Sequence, residues 1–289
     1  MGCRRHLQLF IAAILFISLG VRGAVVSGIN QTPVDGYYGN TWIKDFWQTH
    51  PNIWWRCQQP GTVALTFDDG PGSVYEEGVR ARTEKILDVL KLFDIPATFF
   101  VQGKVLSNTT EKLGLLTRMV EEGHQISHHM YDHTDIREMN DTAVASELED
   151  INEFFREHFK YGDVLRSSTN PSTRYVRPPY LGMDEQKATL LQTLGYKVVQ
   201  ISASGQDSSF AANATDSLRF YVCEEGQFAN LTCPFEEDGN KLKAPFNEHD
   251  GYSATTDSWI TLHHDLFAIV PTHETLMDYI PIAAAQGYK

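Results

Sequence analysis

The chain of 289 residues carries 24 basic and 37 acidic side chains, a formal charge of −13, with 42% hydrophobic and 21% charged residues. That balance suits one large globular core and excludes a disordered chain, a collagen-like fibre and a multi-span membrane protein. It also argues against nucleic acid as a partner, because no basic face or stripe is visible to meet a phosphate backbone.

The first residues in chain order read as a leader rather than as part of the fold. Arg4 and Arg5 precede the apolar run Leu7 to Leu19, and Val21-Arg22-Gly23 offers small residues for cleavage. This is the order of a secretory signal over residues 1–23, and the run is short for a membrane span; a signal-anchor is the lesser alternative. Cleavage after Gly23 removes Arg4, Arg5 and Arg22 and takes the formal charge from −13 to −16. Sequons at Asn30, Asn108, Asn140, Asn213 and Asn230 behind such a leader predict a secreted glycoprotein, extracellular or in a cell wall, with no membrane span in the mature chain. Cys57, Cys223 and Cys233 then remain; Cys223–Cys233 is the economical disulfide, a bond to Cys57 stays open, and one thiol is left over.

Residues 24–59 hold Trp42, Trp47, Trp54, Trp55, Tyr37 and Tyr38. A platform for sugar rings is one reading, and packing against the main domain is the commoner reason for such a cluster. From residue 60 to 289, short apolar strands alternate with amphipathic helices. Val63–Phe67 is a strand; Ser73 and Glu76 form a capping box for a helix through Val79, Ile86, Val89 and Leu90. Ala97–Val101 is a strand, Leu113, Leu116 and Val120 mark a helix ending at Gly123, and Gln125–Ser127 is a strand. Asp141 caps a helix carrying Leu148, Ile151, Phe155 and Phe159. Tyr175-Val176 is a strand, a helix runs to Gly195, Lys197–Ile201 is a strand, and Trp259–Leu262 is the last. A polar, weakly periodic stretch from about 208 to 257 reads as a surface insertion. The rhythm predicts an α/β fold with parallel strands, in a barrel or a doubly wound sheet.

Reactive side chains follow those strands. Asp68-Asp69 comes after the first, His129 and His133 after the third, Arg177 after the fourth, Asp207 beyond the fifth, and His264-Asp265 after the last. In parallel α/β architectures the carboxyl ends of the strands are where sites are built. Alone, Asp-Asp-Gly-Pro is turn chemistry and a histidine pair is a surface feature. His129 and His133 stand four apart, which on one face of a helical turn lets two imidazoles reach one cation. Asp69 is the natural third ligand, and three protein ligands with an open position define a catalytic zinc site. Arg177-Pro178-Pro179-Tyr180 is stiff and extended, suited to holding a guanidinium and a backbone N–H in fixed places.

The segments Thr66-Phe67-Asp68-Asp69-Gly70-Pro71, His129-Met130-Tyr131-Asp132-His133, Arg177-Pro178-Pro179-Tyr180 and Leu262-His263-His264-Asp265 occur in the order and rough spacing of the polysaccharide deacetylases, the NodB-homology enzymes of carbohydrate esterase family four. The lead-in Cys57 to Leu65 resembles fungal chitin deacetylases in particular. The resemblance covers roughly residues 60–289 and implies a distorted (β/α) barrel. It implies a divalent metal on Asp69, His129 and His133, zinc by preference, with cobalt or nickel able to substitute. Asp68 would be the general base toward water at the metal, Arg177 its orienting partner, and the Tyr180 N–H a donor to the oxyanion. His264 would be the acid that protonates the departing amine, tuned by Asp207, while Pro179, Tyr180 and Leu262 line the substrate pocket, Leu262 against the acetyl methyl. The implied partner is chitin or a related acetylated polysaccharide, and a monomer is expected. O-acetyl xylan, peptidoglycan, or chitin bound without turnover are the alternatives.

The chemistry agrees: an acetamide needs its carbonyl polarised, a nucleophilic water and a proton on nitrogen, and this set offers a residue for each. No G-x-S-x-G elbow is present to support a serine route. Four positions depart from the family pattern: His128 for a common Asn, Met130 for Ser or Thr, Leu181 for a common Gly, and Gly205-Gln206-Asp207-Ser208 for an Asp-Trp pair. Met130 is expected to forfeit a hydrogen bond near the metal, His128 to stand as a stray neighbour or an alternative ligand, and Ser208 to leave a pocket wall missing. Gly287-Tyr288-Lys289 repeats the helix-to-strand junction Gly195-Tyr196-Lys197, so a final barrel strand is expected to lie beyond Lys289.

Overall fold

The computed structural model describes residues 50–72, 81–107, 109–159, 164–165, 174–205, 207, 217, 252–266 and 271–289. The leader, the Ser73/Glu76 capping box, Cys223 and Cys233, Ser208, Trp42, Trp47, Tyr37, Tyr38 and the sequons other than Asn140 lie outside these residues.

Among the described residues eight parallel strands form one sheet. In chain order they are β1 (Ile53–Trp54), β2 (Val63–Asp68), β3 (Thr98–Val101), β4 (Gln125–His128), β5 (Arg174–Val176), β6 (Tyr196–Val199), β7 (Ala203–Ser204) and β8 (Trp259–His264). Their spatial order is β1-β6-β5-β4-β3-β2-β8-β7, a curled half-barrel with β1 and β7 at its edges. Five α-helices pack outside: α1 (Arg82–Phe93), α2 (Thr110–Glu121), α3 (Asp141–His158), α4 (Glu185–Thr193) and α5 (Thr272–Ala285). The expected distorted (β/α) barrel is therefore the observed architecture. The edge strands β1 and β7 are additions that sequence periodicity does not reveal.

Strand alternation sorts the side chains into two layers. Leu65, Phe67, Phe99, Val101, Ile126 and Trp259 face outward and join α1, α2 and α5 in one core cluster. Val176, Val198, Ile53 and Tyr196 face outward with α3 and α4 in a second. Inward, the buried apolar filling is small: Leu262 and a cluster of Cys57, Phe100, Val199 and Ile260, with Ala64 and Tyr175 packed against that cluster. Cys57 is free, buried, and donates through Sγ to the Trp259 carbonyl at 3.0 Å. Trp55 is buried and Trp54 packs on Tyr175, so these two aromatics of the N-terminal segment serve packing.

Two helix starts differ from expectation. Ala81 is extended (φ −53°, ψ 144°), so α1 begins at Arg82 and no continuous helix runs through Ala81 to Leu90. Helix α3 is capped by Asn140, whose side chain accepts from the Ala143 N–H, while Asp141 is its first helical residue. Gly123, Gly195 and Gly287 end α2, α4 and α5 with φ of 82°, 84° and 89°, a left-handed conformation open to residues without a Cβ. After the last of these, Lys289 donates to the Gly61 carbonyl and accepts from the Val63 N–H.

Candidate functional site

The register of β2 and β8 builds half of the site. Thr66 pairs with Leu262 and Asp68 with His264, so all four point to the inner face at two successive levels. Their neighbours Phe67 and His263 point outward and stack at 5.3 Å. Beyond β2, Asp69 adopts φ 79°, which turns its carboxylate toward the residues that follow β4.

Those residues are His129 and His133. Their Nε2 atoms stand 3.3 and 3.1 Å from Asp69 Oδ1. The ligand atoms of Asp69, His129 and His133 all lie within 4.8 Å of one another. The helical turn expected here is absent. Residues 129–133 form a loop in which Met130 and His133 both have φ 59°, and these left-handed steps bring the rings to 5.1 Å. Such values strain residues with a Cβ, so the loop needs outside support. Glu147 on α3 supplies it by accepting from the N–H groups of Tyr131 and Asp132 at 2.9 and 3.3 Å. The Gly103 and Lys104 N–H groups bond the carbonyls of Met130 and Tyr131.

Arg177 organises both sides and is fully buried. Its Nη1 donates to Asp68 Oδ1 at 2.8 Å and to Thr66 Oγ1 at 2.6 Å, and its Nε donates to the Val199 carbonyl. Its guanidinium lies over Phe100. Its carbonyl sits 2.7 Å from His129 Nδ1. A carbonyl can only accept, so Nδ1 carries a proton, and Nε2 is the ring nitrogen turned to Asp69. Tyr180 (φ 57°) sets its exposed ring against His133 at 4.8 Å, and Pro179 is buried behind it. Leu181 has φ 56°, which accounts for a glycine being a common residue at this place.

His264 is fixed by Asp207. Nδ1 lies 2.7 Å from Asp207 Oδ1, and the His264 N–H donates to Oδ2 at 2.8 Å, with the Thr272 hydroxyl also on Oδ2. Burial works against a charged imidazole here, but the Asp207 charge and hydrogen bond outweigh it, and the His264 pKa is pushed up to about 9. Burial opposes ionisation of Asp207 in turn, and His264 reverses that and holds its carboxyl below the ordinary range. Asp69 follows the same logic: burial would raise its pKa, and His129 and His133 hold it below the usual carboxylate value. His129 is raised against its own burial by Asp68 and Asp69.

The structure thus brings together every residue expected at the site. Of its neighbours, His128 takes the first of its two readings and Met130 departs from expectation. His128 is no alternative ligand: it faces outward, is fully buried edge-on against Tyr196, and burial lowers its pKa to about 3. Met130 forfeits no bond near the ligands, because it turns away and packs with Ile53, Trp55, Ile136, Val144 and Leu148. Glu147 and Asp265 escaped sequence reasoning as supports. Glu147 looks like one more acid on a solvated helix face, whereas Asp265 was at least flagged by its place beside His264.

Asp69 Oδ1 is buried without a hydrogen-bond donor of adequate geometry, while two imidazole nitrogens face it. An oxygen and two nitrogens converging in this way fit one divalent cation.

Residues 56–199 match the family model described as polysaccharide deacetylase. A chitin deacetylase of Pestalotiopsis is 30% identical over 151 residues, 52% of this chain and 45% of the relative, so the match spans under half of that protein. The peptidoglycan-N-acetylglucosamine deacetylase PgdA of Listeria monocytogenes is 32% identical over 145 residues, 50% of this chain and 26% of the relative. A chitin deacetylase of Colletotrichum lindemuthianum is 30% identical over 238 residues, 81% of this chain and 78% of the relative. The chain belongs to the polysaccharide deacetylase family. The solved structure of the Colletotrichum chitin deacetylase shares the fold of this polysaccharide deacetylase, with a TM-score of 0.58 at 23% identity over 82% of this chain and 87% of that one.

Proposed function

We propose that this polysaccharide deacetylase is a metal-dependent hydrolase that removes N-acetyl groups from chitin or its oligomers. The observation that carries the reading is the register of Asp68 with His264, which sets a carboxylate and an imidazole side by side at the rim where Asp69, His129 and His133 converge. A divalent cation held by those three ligands supplies Lewis acidity, polarising the amide carbonyl and making water more acidic. Asp68, oriented by Arg177, accepts the proton of the attacking water. His264, kept charged by Asp207, donates a proton to the departing nitrogen, which turns an amide anion into a neutral amine. The Tyr180 N–H would donate to the carbonyl oxygen, and Leu262, one level below His264 on β8, would line the space for the acetyl methyl together with Pro179.

Chitin is favoured over other acetylated polymers by the fungal chitin deacetylase that matches over most of both chains. Secretion as a glycoprotein is part of the proposal. It is supported by the charge–apolar–small order of residues 1–23 and by Asn140, an exposed sequon whose cap uses only Oδ1 and leaves Nδ2 for a glycan. Among the described residues no helix is long and apolar enough to cross a membrane.

The test is acetate release by the zinc-loaded protein from N-acetylglucosamine oligomers, acetylated xylan and peptidoglycan. Chelator-sensitive release from the oligomers above the other two is expected. Release from xylan or peptidoglycan alone reassigns the polymer, and chitin binding with no release from any of them overturns the enzymatic reading.

A further inference from the structure

Three buried side chains from three elements converge on the turn that carries Asp68 and Asp69, and none of them belongs to the machinery proposed above. Asp265 follows His264, and its N–H donates to the Asp68 carbonyl at 3.2 Å, extending the β2–β8 pairing past both strands. Consecutive residues alternate, so as His264 turns to the site Asp265 turns behind it. There its carboxylate fills the space beside Gly70 that a Cβ would occupy. The Thr83 hydroxyl, in the first turn of α1, donates to Asp265 Oδ2 at 2.8 Å and accepts from the Gly72 N–H at 2.8 Å. One hydroxyl therefore uses its donor on the carboxylate and an acceptor site on the turn. From α2, Lys112 Nζ donates to the Pro71 carbonyl. Exposures of 1% for Asp265, 0% for Thr83 and 7% for Lys112 leave solvent no part in this arrangement.

We infer that Asp265, anchored by Thr83 and seated against Gly70, is a positioning residue that locks the Asp68–Asp69 turn to His264. It touches no reacting atom. Asp69 sits at φ 79°, and its ligand oxygen lies at the end of a turn whose next residues, Gly70 to Gly72, are held by Asp265, Thr83 and Lys112. Releasing that hold lets Asp69 leave the two histidines and Asp68 leave its level with His264. Groups that orient metal ligands from behind typically contribute 10- to 100-fold to metal affinity or activity.

The inference rests on the metal-dependent reading, so its test has an arm independent of turnover. Zinc affinity is measured by competition with a chromophoric chelator for the wild type, Asp265→Asn, Thr83→Val, Thr83→Ser and the double variant T83V/D265N. The exposed helix substitution Thr189→Val serves as a control. Thermal unfolding is recorded for each, and kcat and KM for acetate release are measured in zinc excess. Expected are a zinc Kd raised about tenfold or more and a kcat lowered about 10- to 100-fold in D265N, with KM within about threefold. Thr83→Val should lose less, Thr83→Ser should restore wild-type values, and the double variant should be no worse than D265N because both act through one contact. A folded D265N with wild-type zinc Kd and kcat overturns the inference. So does a loss confined to KM, or one that tracks lowered melting temperature in all variants alike. A wild type that binds zinc but releases no acetate refutes the proposed reaction and leaves the zinc arm to decide the role of Asp265.

Discussion

The two faces of the same strands do different work. On β2 Phe67 faces out and Asp68 in; on β8 it is His263 and His264; at the end of β4, His128 and His129; at the end of β5, Val176 and Arg177. Each outer residue is fully buried in the layer between sheet and helices, where Phe67 stacks on both Phe99 and His263. Each inner residue is polar, and among the described residues the buried apolar filling of the inner layer is limited to Cys57, Phe100, Val199, Ile260 and Leu262. A half-barrel covered by helices can take nearly all of its stability from the outer face, which frees the inner rim for charges that a core would reject.

Adjacent residues therefore make the sharpest contrast. Asp68→Asn is expected to lower kcat of the folded protein for acetate release about 10²- to 10⁴-fold, the usual worth of a general base. Phe67→Ala, one residue away, should do the reverse: a loss of about 3–5 kcal/mol in unfolding free energy, with the folded fraction keeping its kcat. A stable but inactive F67A would break the division of labour.

The two histidines that close β4 repeat the contrast with metal as the readout. His129→Phe should weaken zinc binding more than about 100-fold by removing a ligand outright, beyond what outer supports contribute. His128→Phe should leave zinc affinity unchanged and alter stability by no more than about 1 kcal/mol, since both of its ring nitrogens are buried with no hydrogen-bond partner among the described residues. Competitive chelator titration of the two variants separates them directly.

A smaller effect belongs to the charge pair. His264 has a folded pKa of about 9 against an ordinary 6.5. The stability from binding that proton is complete below about pH 6.5 and is lost as pH rises through about 9. The acid form needed for catalysis disappears over the same upper range. Asp207→Asn removes the negative charge, so the alkaline limb of the kcat profile should move toward lower pH. A limb that stays in place would separate Asp207 from the tuning of His264. The smallest expected effect is that of Glu147→Ala, which frees the backbone of Tyr131 and Asp132 and should raise the zinc Kd about tenfold.

Much of this was readable in the sequence because motifs sit at strand ends and strands carry dense apolar signals. Val63–Phe67 and Trp259–Leu262 were placed closely, and the side chains released after them do meet. The misses have physical causes. Strands β1 and β7 are two residues long, too short for any period to register. His129 and His133 can be brought together by a helical turn or by two left-handed steps, and spacing alone cannot separate the two; the loop is paid for by Glu147, which is 14 residues beyond His133. Met130 looked like a lost hydrogen bond because substitution at a motif position says nothing about which way the side chain turns. Asp265 stands in plain view beside His264, but its partner Thr83, like Lys112 on the Pro71 carbonyl, comes from a helix far away in sequence, and only the fold reveals them.

The most direct measurement is the pH-resolved release of acetate from N-acetylglucosamine oligomers by the zinc-reconstituted protein, run beside its metal-stripped form and Asp68→Asn. The expected result is turnover that requires zinc, collapses in Asp68→Asn and declines as pH rises through about 9. Turnover that persists without metal, or an Asp68→Asn variant equal to wild type, would contradict the assignment of this rim as the site of deacetylation.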